Sequence, residues 1–430
     1  MTRPLLGCIA DDFTGATDLA NNLVRGGMRT VQWIGVPEGP VDTGGAQALV
    51  VALKTRTVAP EEAVRQSLQA LAWLQAQGVE QIYFKVCSTF DSTPQGNIGP
   101  VTDALMAALG AGLSTVCPAF PETGRTVYQG HLFVGQQLLS DSGMRHHPLT
   151  PMADASLVRL MQAQTRGRVG LVPLAVIARG AEAIRERLDA LQADGVRHAV
   201  LDAVQDADLQ HIGAALAGMP LVVAGSGVAV GLPQNWRARG LLDGEGTADR
   251  LPAVAGACAV VSGSCSEATR AQVARAQAQG WPSFMVDPLA LARGDDVVAQ
   301  ALAWAAGRVG PVPVLVYATA EPAAVKAVQT ALGVALPGEL VEQALAAIAR
   351  GLVGLGVRRL VVAGGETSGA VVQGLAVRQM QIGPQIDPGV PWTAVRAACC
   401  PDADLHVALK SGNFGGVDFF AKAFTVGGKA

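Results

Sequence analysis

Charge and aromatic rings are both scarce in this sequence. Of its 430 residues, 16% are Asp, Glu, Lys or Arg and 4% are Phe, Trp or Tyr. The formal net charge is -3, and no run of basic residues stands out. Non-specific nucleic-acid binding relies on clustered Lys and Arg, so DNA and RNA are not expected partners. Long apolar runs are missing too. None reaches the roughly 18 residues of a membrane-spanning helix, so no membrane association is expected. The first apolar stretch, in MTRPLLGCIADDF, is too short for a secretory signal and is broken at once by two acids. The seven cysteines (Cys8, Cys87, Cys117, Cys258, Cys265, Cys399 and Cys400) are odd in number and scattered. No CxxC occurs and no Cys/His group has zinc spacing, so a reduced, cytoplasmic chain is expected. The adjacent His146 and His147 point to opposite sides of an extended chain and are not expected to bind metal.

The familiar nucleotide and nucleophile signatures are also absent. There is no GxxxxGK[ST], no HRD with DFG and no GxSxG. The nearest approach to GxGxxG is Gly225-Ser226-Gly227-Val228-Ala229-Val230-Gly231, whose last glycine falls one position late.

What is present is a rhythm. Half the residues are hydrophobic and 51 are glycine. Short apolar runs alternate with polar or Gly-rich turns and amphipathic stretches. Strands are expected at Leu5–Ala10, Ala48–Leu53, Gln81–Val86, Ser114–Cys117, Val169–Pro173, Ala199–Asp202 and Leu221–Ala224. Helices are expected at Ala16–Arg25, Glu61–Gln77 and Asn97–Leu109. The polar, aperiodic ARGLLDGEGTADRLP (Ala238–Pro252) reads as a linker. The rhythm then resumes, with strands expected at Ala257–Val261, Ser283–Val286, Val314–Tyr317, Leu360–Ala363 and His406–Leu409. Helices are expected at Ser266–Gln279, Glu321–Leu332 and Leu340–Leu352. A chain of this length exceeds one ordinary core of about 100–200 residues. The expected fold is therefore α/β, in two domains spanning 1–243 and 254–430. Each is a mostly parallel sheet flanked by helices, with the active site in the cleft between them.

Ligands of open α/β sheets bind at the carboxyl ends of the strands, and these ends differ between the halves. In the first half they carry charge and hydroxyls. Strand one runs into Asp11-Asp12-Phe13-Thr14-Gly15. One acid there could simply cap the following helix, but capping does not need two, and a strand-end carboxylate suits general-base work. Lys54-Thr55-Arg56 ends the next strand. Lys85 ends the one after and leads into a loop with Ser88, Thr89, Asp91 and Ser92. Burying a Lys there is costly unless its head reaches a pocket or a carboxylate. Arg125, ahead of a hairpin expected from about Val127, could hold a carboxylate in two contacts. In the second half the strand ends carry glycines and hydroxyls: Ser262-Gly263-Ser264-Cys265-Ser266, Gly364-Gly365-Glu366-Thr367-Ser368-Gly369 and Lys410-Ser411-Gly412-Asn413-Phe414-Gly415-Gly416. Backbone N–H groups at such turns face anions, and three together suggest three edges of one phosphate or nucleotide cradle.

The segments GCIADDFTGATDLANNLV, LKTRT, YFKVCSTFDSTPQGNIGPVTDALM, GRTVYQGHLFV, SGMRHHPLTPM, SGSCSEAT, VVAGGETSGAVV and ALKSGNFGG run in order from residue 7 to residue 416. They resemble the four-carbon acid sugar kinase family, most closely its 3-oxo-tetronate kinase branch. The resemblance implies an N-terminal domain for the acid sugar and a C-terminal domain for ATP. It implies ATP contacts at Ser262 or Ser264, at Gly365, Glu366, Thr367 and Ser368, and at Gly412. It implies transfer to the terminal 4-hydroxyl of a 3-oxo-tetronate in acid-sugar catabolism, with a D-threonate or D-erythronate 4-kinase as the alternative. On that basis Asp11 or Asp12 would take the hydroxyl proton, and Lys85 or Arg125 would hold the substrate carboxylate. Ser88, Thr89, Asp91 and Ser92 would line its pocket. ATP would come with Mg2+, near Glu366 or held through water, its ligands otherwise unassigned. The linker near Gly240–Leu251 would let the domains close. The hydrophobic content permits a homodimer. Ala397–Leu405 is longer than the resemblance leads one to expect and reads as a loop. A dehydrogenase would need a strict GxGxxG, and a non-catalytic binding protein would not need the second-half turns.

Overall fold

The computed structural model describes residues 3–39, 41–147, 150–242, 248–319, 336–397 and 399–426. The chain divides into two compact units between Asp249 and Arg250.

The first unit contains β1 (Leu6–Ala10), β2 (Thr30–Ile34), β3 (Ala48–Ala52), β4 (Gln81–Lys85), β5 (Ser114–Cys117), β6 (Arg125–Tyr128), β7 (His131–Val134), β8 (Gln137–Leu138), β9 (Arg168–Val172), β10 (Val196–Leu201) and β11 (Leu221–Ala224). Eight of these form a parallel sheet in the order β2-β3-β1-β4-β11-β5-β10-β9. β1 and β3 are buried along their whole length, because helices cover both faces. The helix Phe13–Arg25 follows β1 directly. Helix Pro60–Ala76 begins with Pro and two acids, which suits the positive end of its dipole. Helix Ile98–Leu109 stops at Gly110, whose φ of 64° suits glycine. β2 was not expected. Its centre is the polar Gln32, fully buried and accepting from the Thr17 hydroxyl at 3.2 Å. β6, β7 and β8 form a small antiparallel sheet. It is tied to β10 by Asp202, whose oxygens each accept a backbone N–H, from Gln129 and Gly130, at 2.8 Å.

The second unit contains β12 (Ala257–Ser262), β13 (Ser283–Met285), β14 (Val314–Tyr317), β15 (Val357–Ala363), β16 (Gln379–Asp387), β17 (Val390–Ala397) and β18 (Cys400–Lys410). Their order is β13-β14-β12-β15-β18-β17-β16, parallel as far as β18 and antiparallel beyond it. Helices Glu267–Ala278, Val297–Ala306, Leu336–Gly354, Gly365–Gly374 and Phe419–Thr425 accompany it. The segment from Ala397, expected as a loop, is instead a strand connection. Ala397 pairs with Cys400, and β18 starts six residues before the expected His406. The expected helix Glu321–Leu332 lies outside the described residues. The core gathers Trp392, Phe419 and Phe420 against Val260, Val361 and Ala408. The Arg359 guanidinium lies 4.9 Å over the Trp392 ring and donates to the carbonyls of Ala423, Phe424 and Val426, closing the last helix.

Among the described residues, no helix is long and apolar enough to cross a membrane.

Candidate active site

In the first unit the carboxyl ends of β1, β3 and β4 lie side by side, because those strands are hydrogen-bonded neighbours. The residues that follow them form one charged cluster, centred on Arg56. Its Nε donates to Asp11 Oδ2 at 2.9 Å and its Nη2 to Asp11 Oδ1 at 2.8 Å, a two-pronged contact. Nη2 also donates to Asp12 Oδ1 at 2.7 Å, and Nη1 stands 3.8 Å from Asp91 Oδ2. The backbone repeats the arrangement, with the N–H groups of Thr55 and Arg56 both donating to the Asp11 carbonyl. Asn97 fixes the turn from below, donating to the carbonyls of Thr55 at 2.6 Å and Val58 at 2.9 Å. Lys54, in contrast, is exposed.

Asp12 does two jobs. It caps the helix Phe13–Arg25, accepting from Gly15 N at 3.1 Å and from the Thr14 hydroxyl at 2.8 Å. It also pairs with Arg56. Burial alone would raise its pKa, but the charges of Arg56 and Lys85 and these hydrogen bonds hold it below the usual carboxylate value. Lys85 is buried, and its Nζ donates to the Val86 carbonyl at 2.8 Å. A Cβ on Gly15 would meet Asp12 Oδ1 at 2.2 Å and Lys85 Nζ at 2.8 Å, so this glycine lets the two charges come together.

A further acid belongs to this cluster and carries no motif. Asp18, one turn along the helix, is 7% exposed and accepts the Ser226 hydroxyl through Oδ2, while its Oδ1 is buried with no hydrogen-bond partner among the described residues. Burial pushes its pKa up to about 6 against the opposing pull of Lys85 and Ser226. The glycines around Ser226 are explained by packing. A Cβ on Gly225 would meet the Pro118 carbonyl oxygen at 2.6 Å, and one on Gly227 the Ala119 carbonyl oxygen at 2.3 Å.

The loop after β4 is internally bonded. The Thr89 hydroxyl donates to Asp91 Oδ1 at 2.7 Å and lies 3.0 Å from Cys87 Sγ. Burial pushes the Cys87 thiol up to about 11, so it stays protonated. Phe90, fully buried, has a φ of 50°, a strained setting for an aromatic residue that the packed loop maintains. Ser88 is half-buried. Ser92 turns away, its hydroxyl donating to Gln164 at 2.9 Å. Arg125 starts β6, two residues before the expected hairpin. Its Nη1 donates to the Thr123 carbonyl and its buried Nε has no hydrogen-bond partner among the described residues. Sequence reasoning thus noted Arg56 in LKTRT without assigning it a role, and passed over Asp18 and Asn97. Two cavities in this unit, of about 290 and 590 Å³, border Pro220 and Gln81, at the amino ends of the strands and away from this chemistry.

In the second unit the three Gly/Ser turns do converge. A Cβ on Gly263 would lie 2.2 Å from Thr367 Oγ1. One on Gly364 would lie 2.9 Å from that atom and 3.2 Å from Ser264 N, and one on Gly412 would lie 2.5 Å from Ser264 Oγ. Any larger residue would separate the turns. Gly364, with a φ of 128°, introduces the helix Gly365–Gly374, so the expected Gly365–Ser368 turn is in fact that helix's first turn. Its N–H groups at Gly365, Glu366 and Thr367 have no carbonyls four residues back to pair with inside the helix, the arrangement that receives anions. Ser264 is half-buried at the turn, and its Oγ accepts from Ser266 N at 3.2 Å. Ser262 is fully buried, with its hydroxyl 2.7 Å from that of Thr319. Ser368 is also fully buried, and its hydroxyl has no partner among the described residues. Ser266 and Thr269 donate to the Gly412 carbonyl at 2.6 and 2.8 Å, joining the first turn to the third.

Residues 6–232 match the family described as a sugar-binding N-terminal domain, and residues 259–420 match a nucleotide-binding C-terminal domain. The chain is 60% identical over 423 residues to a 3-oxo-tetronate kinase of Cupriavidus necator, covering 98% of this chain and 96% of that one. It is also 60% identical over 422 residues to a 3-oxo-tetronate kinase of Burkholderia multivorans, covering 98% and 97%. A crystal structure of a Salmonella typhimurium protein superposes with a TM-score of 0.88 at 45% identity, over 97% of this chain and 98% of that one. With strand-end charges in its first unit and convergent Gly/Ser turns in its second, the chain belongs to the family that joins this sugar-binding domain to this nucleotide-binding domain.

Proposed function

We propose that this chain transfers the γ-phosphoryl group of ATP to the 4-hydroxyl of a 3-oxo-tetronate. The observation that carries the reading is the contrast between its strand ends. One unit gathers Asp11, Asp12, Arg56, Lys85 and Asp91, and the other gathers Gly263, Ser264, Gly364–Ser368 and Gly412. The first set suits an anionic polyol, and the second suits phosphates. The names of the relatives supply the substrate class, and they favour the 3-oxo acid over a D-threonate or D-erythronate.

The acid sugar binds at the Arg56 cluster and the loop Ser88–Asp91, with Arg125 as a further cation. Asp12 is a poor base while Arg56 and Lys85 hold its carboxylate charged, and both oxygens of Asp11 are occupied by Arg56. The substrate carboxylate offers Arg56 an alternative two-pronged partner. Once Arg56 turns to it, one of the two carboxylates is released to accept the 4-hydroxyl proton as the oxygen attacks phosphorus. Lys85 remains to offset the charge. ATP lies on the three turns, its phosphates facing the N–H groups at the head of helix Gly365–Gly374.

Mg2+ fits as an ion brought in by ATP. Among the described residues no three His, Cys, Asp or Glu side chains are placed to hold a metal ion together, and the turns offer one carboxylate, Glu366, exposed at the helix head. One carboxylate with phosphate oxygens and water is a common Mg2+ environment, and the ion neutralises charge on the transferring group.

A coupled ADP-release screen over L- and D-tetronates and their 3-oxo forms tests the assignment. Fastest turnover with a 3-oxo-tetronate supports it, and preference for D-threonate or D-erythronate overturns it.

A further inference from the structure

Lys410 closes β18 and is fully buried. Its Nζ lies within hydrogen-bonding distance of four oxygens: Thr269 Oγ1 at 2.9 Å and the carbonyls of Ser411, Gly412 and Phe414 at 3.0, 2.9 and 3.1 Å. The three carbonyls belong to the turn that carries Gly412, and Thr269 belongs to the helix headed by the Ser264–Ser266 turn. The side chain therefore holds two of the three turns together from beneath.

No carboxylate among the described residues pairs with it. On the neighbouring elements, Arg275 pairs with Asp418 and Lys422 with Asp387, while Arg359 donates to backbone carbonyls. Glu267 and Glu366 are exposed, and Arg270 lies half-buried. None of these acts on Lys410, whose proton affinity is shifted by burial alone. A buried cation without a counter-charge is costly, and an anion brought close relieves that cost.

We propose that Lys410 is a positioning residue of the nucleotide site, whose ammonium clamps the Ser411–Phe414 turn and draws its missing counter-charge from the nucleotide phosphates. The proposal rests on the ATP reading of the second unit. In the unliganded protein, burial lowers the Lys410 pKa to about 7. Phosphates nearby raise it, so binding above that pH takes up a proton from solvent onto Nζ.

Calorimetric titration of the full chain with MgADP, between pH 7.5 and 9 in buffers of different ionisation enthalpy, tests this. The second phosphate ionisation lies near about 6, so the ligand itself does not titrate there. Affinity is expected to fall roughly fivefold across that range, with a fraction of a proton taken up at pH 8. Lys410→Met is expected to bind more weakly, with no proton uptake and no pH dependence. Wild-type binding that is flat with pH and takes up no proton overturns the proposal, and this measurement needs no variant to fold. Unchanged proton uptake in Lys410→Met overturns it as well. Absence of MgADP binding at every pH overturns the ATP reading itself, an outcome distinct from flat binding.

Discussion

Replacing Arg56 with Met removes three charge-assisted hydrogen bonds, two to Asp11 and one to Asp12. Asp11 is 6% exposed, so it is left as a buried carboxylate without its cation. Breaking one side of a buried pair costs about 3–5 kcal/mol. The Arg56 side chain is 22% exposed, so solvent screening reduces the expected loss to about 2–3 kcal/mol. The pH dependence has a definite sign. Asp12 is held below its ordinary value in the folded state. That contribution is fully present above the unfolded carboxylate value of about 3.9 and is lost as pH falls through the lower folded value. The variant lacks the Arg56 part of it, so the gap from wild type is full at pH 7.5 and closes below about pH 4. Scanning calorimetry should show the first unit's transition lowered by roughly 5–10 °C at pH 7.5. Turnover should fall as well. Losing a charge-assisted contact with the substrate carboxylate is worth about 2–3 kcal/mol, or roughly 30- to 160-fold in kcat/KM for the acid sugar. Arg56→Lys keeps the charge but not the fork and should lie between. An Arg56→Met enzyme with wild-type kcat/KM and an unmoved transition would refute the reasoning.

Asp18→Asn should stabilise the protein at neutral pH. With its folded value raised to about 6, Asp18 adds stability only while protonated, below about pH 4, and loses it as pH rises through 6. Removing the charge should gain up to about 3 kcal/mol at pH 7.5 and nothing near pH 3.5, as chemical denaturation can check. Gly263→Ala would press a methyl group onto Thr367, so KM for ATP should rise at least roughly tenfold with acid-sugar binding unchanged. Ser92→Ala should cost about 1 kcal/mol of stability through the lost Gln164 contact and leave KM for the acid sugar in place.

Much of the fold was legible because a buried parallel strand announces itself as an apolar run. Ser114–Cys117, Leu221–Ala224 and Val314–Tyr317 fall where such runs predict them. β2 escaped because Gln32 interrupts its run, and the partner of its buried side-chain oxygen, Thr17, lies 15 residues away on another element. β16 escaped because QMQIGPQID alternates polar residues and contains a proline, as an antiparallel strand can. In the site, glycine-rich turns were conspicuous because a missing Cβ is a sequence-level fact, and Gly263, Gly364 and Gly412 are each hemmed in by the other turns. Arg56 was visible as a charge at a strand end, but nothing in LKTRT says that it reaches Asp11 and Asp12. Asp18 reads as an ordinary helical acid, and its burial depends on Ser226, 208 residues away. Pairings across such distances are set by sheet order, which local patterns do not encode.

The central claim is phosphoryl transfer to the terminal hydroxyl of a 3-oxo acid sugar. Phosphorus NMR of the product from ATP and a 3-oxo-tetronate tests it most directly. The account predicts one new phosphomonoester resonance, split by the two protons on C4, appearing in step with ADP. Release of inorganic phosphate alone, or a phosphoester coupled to a single proton, would contradict it.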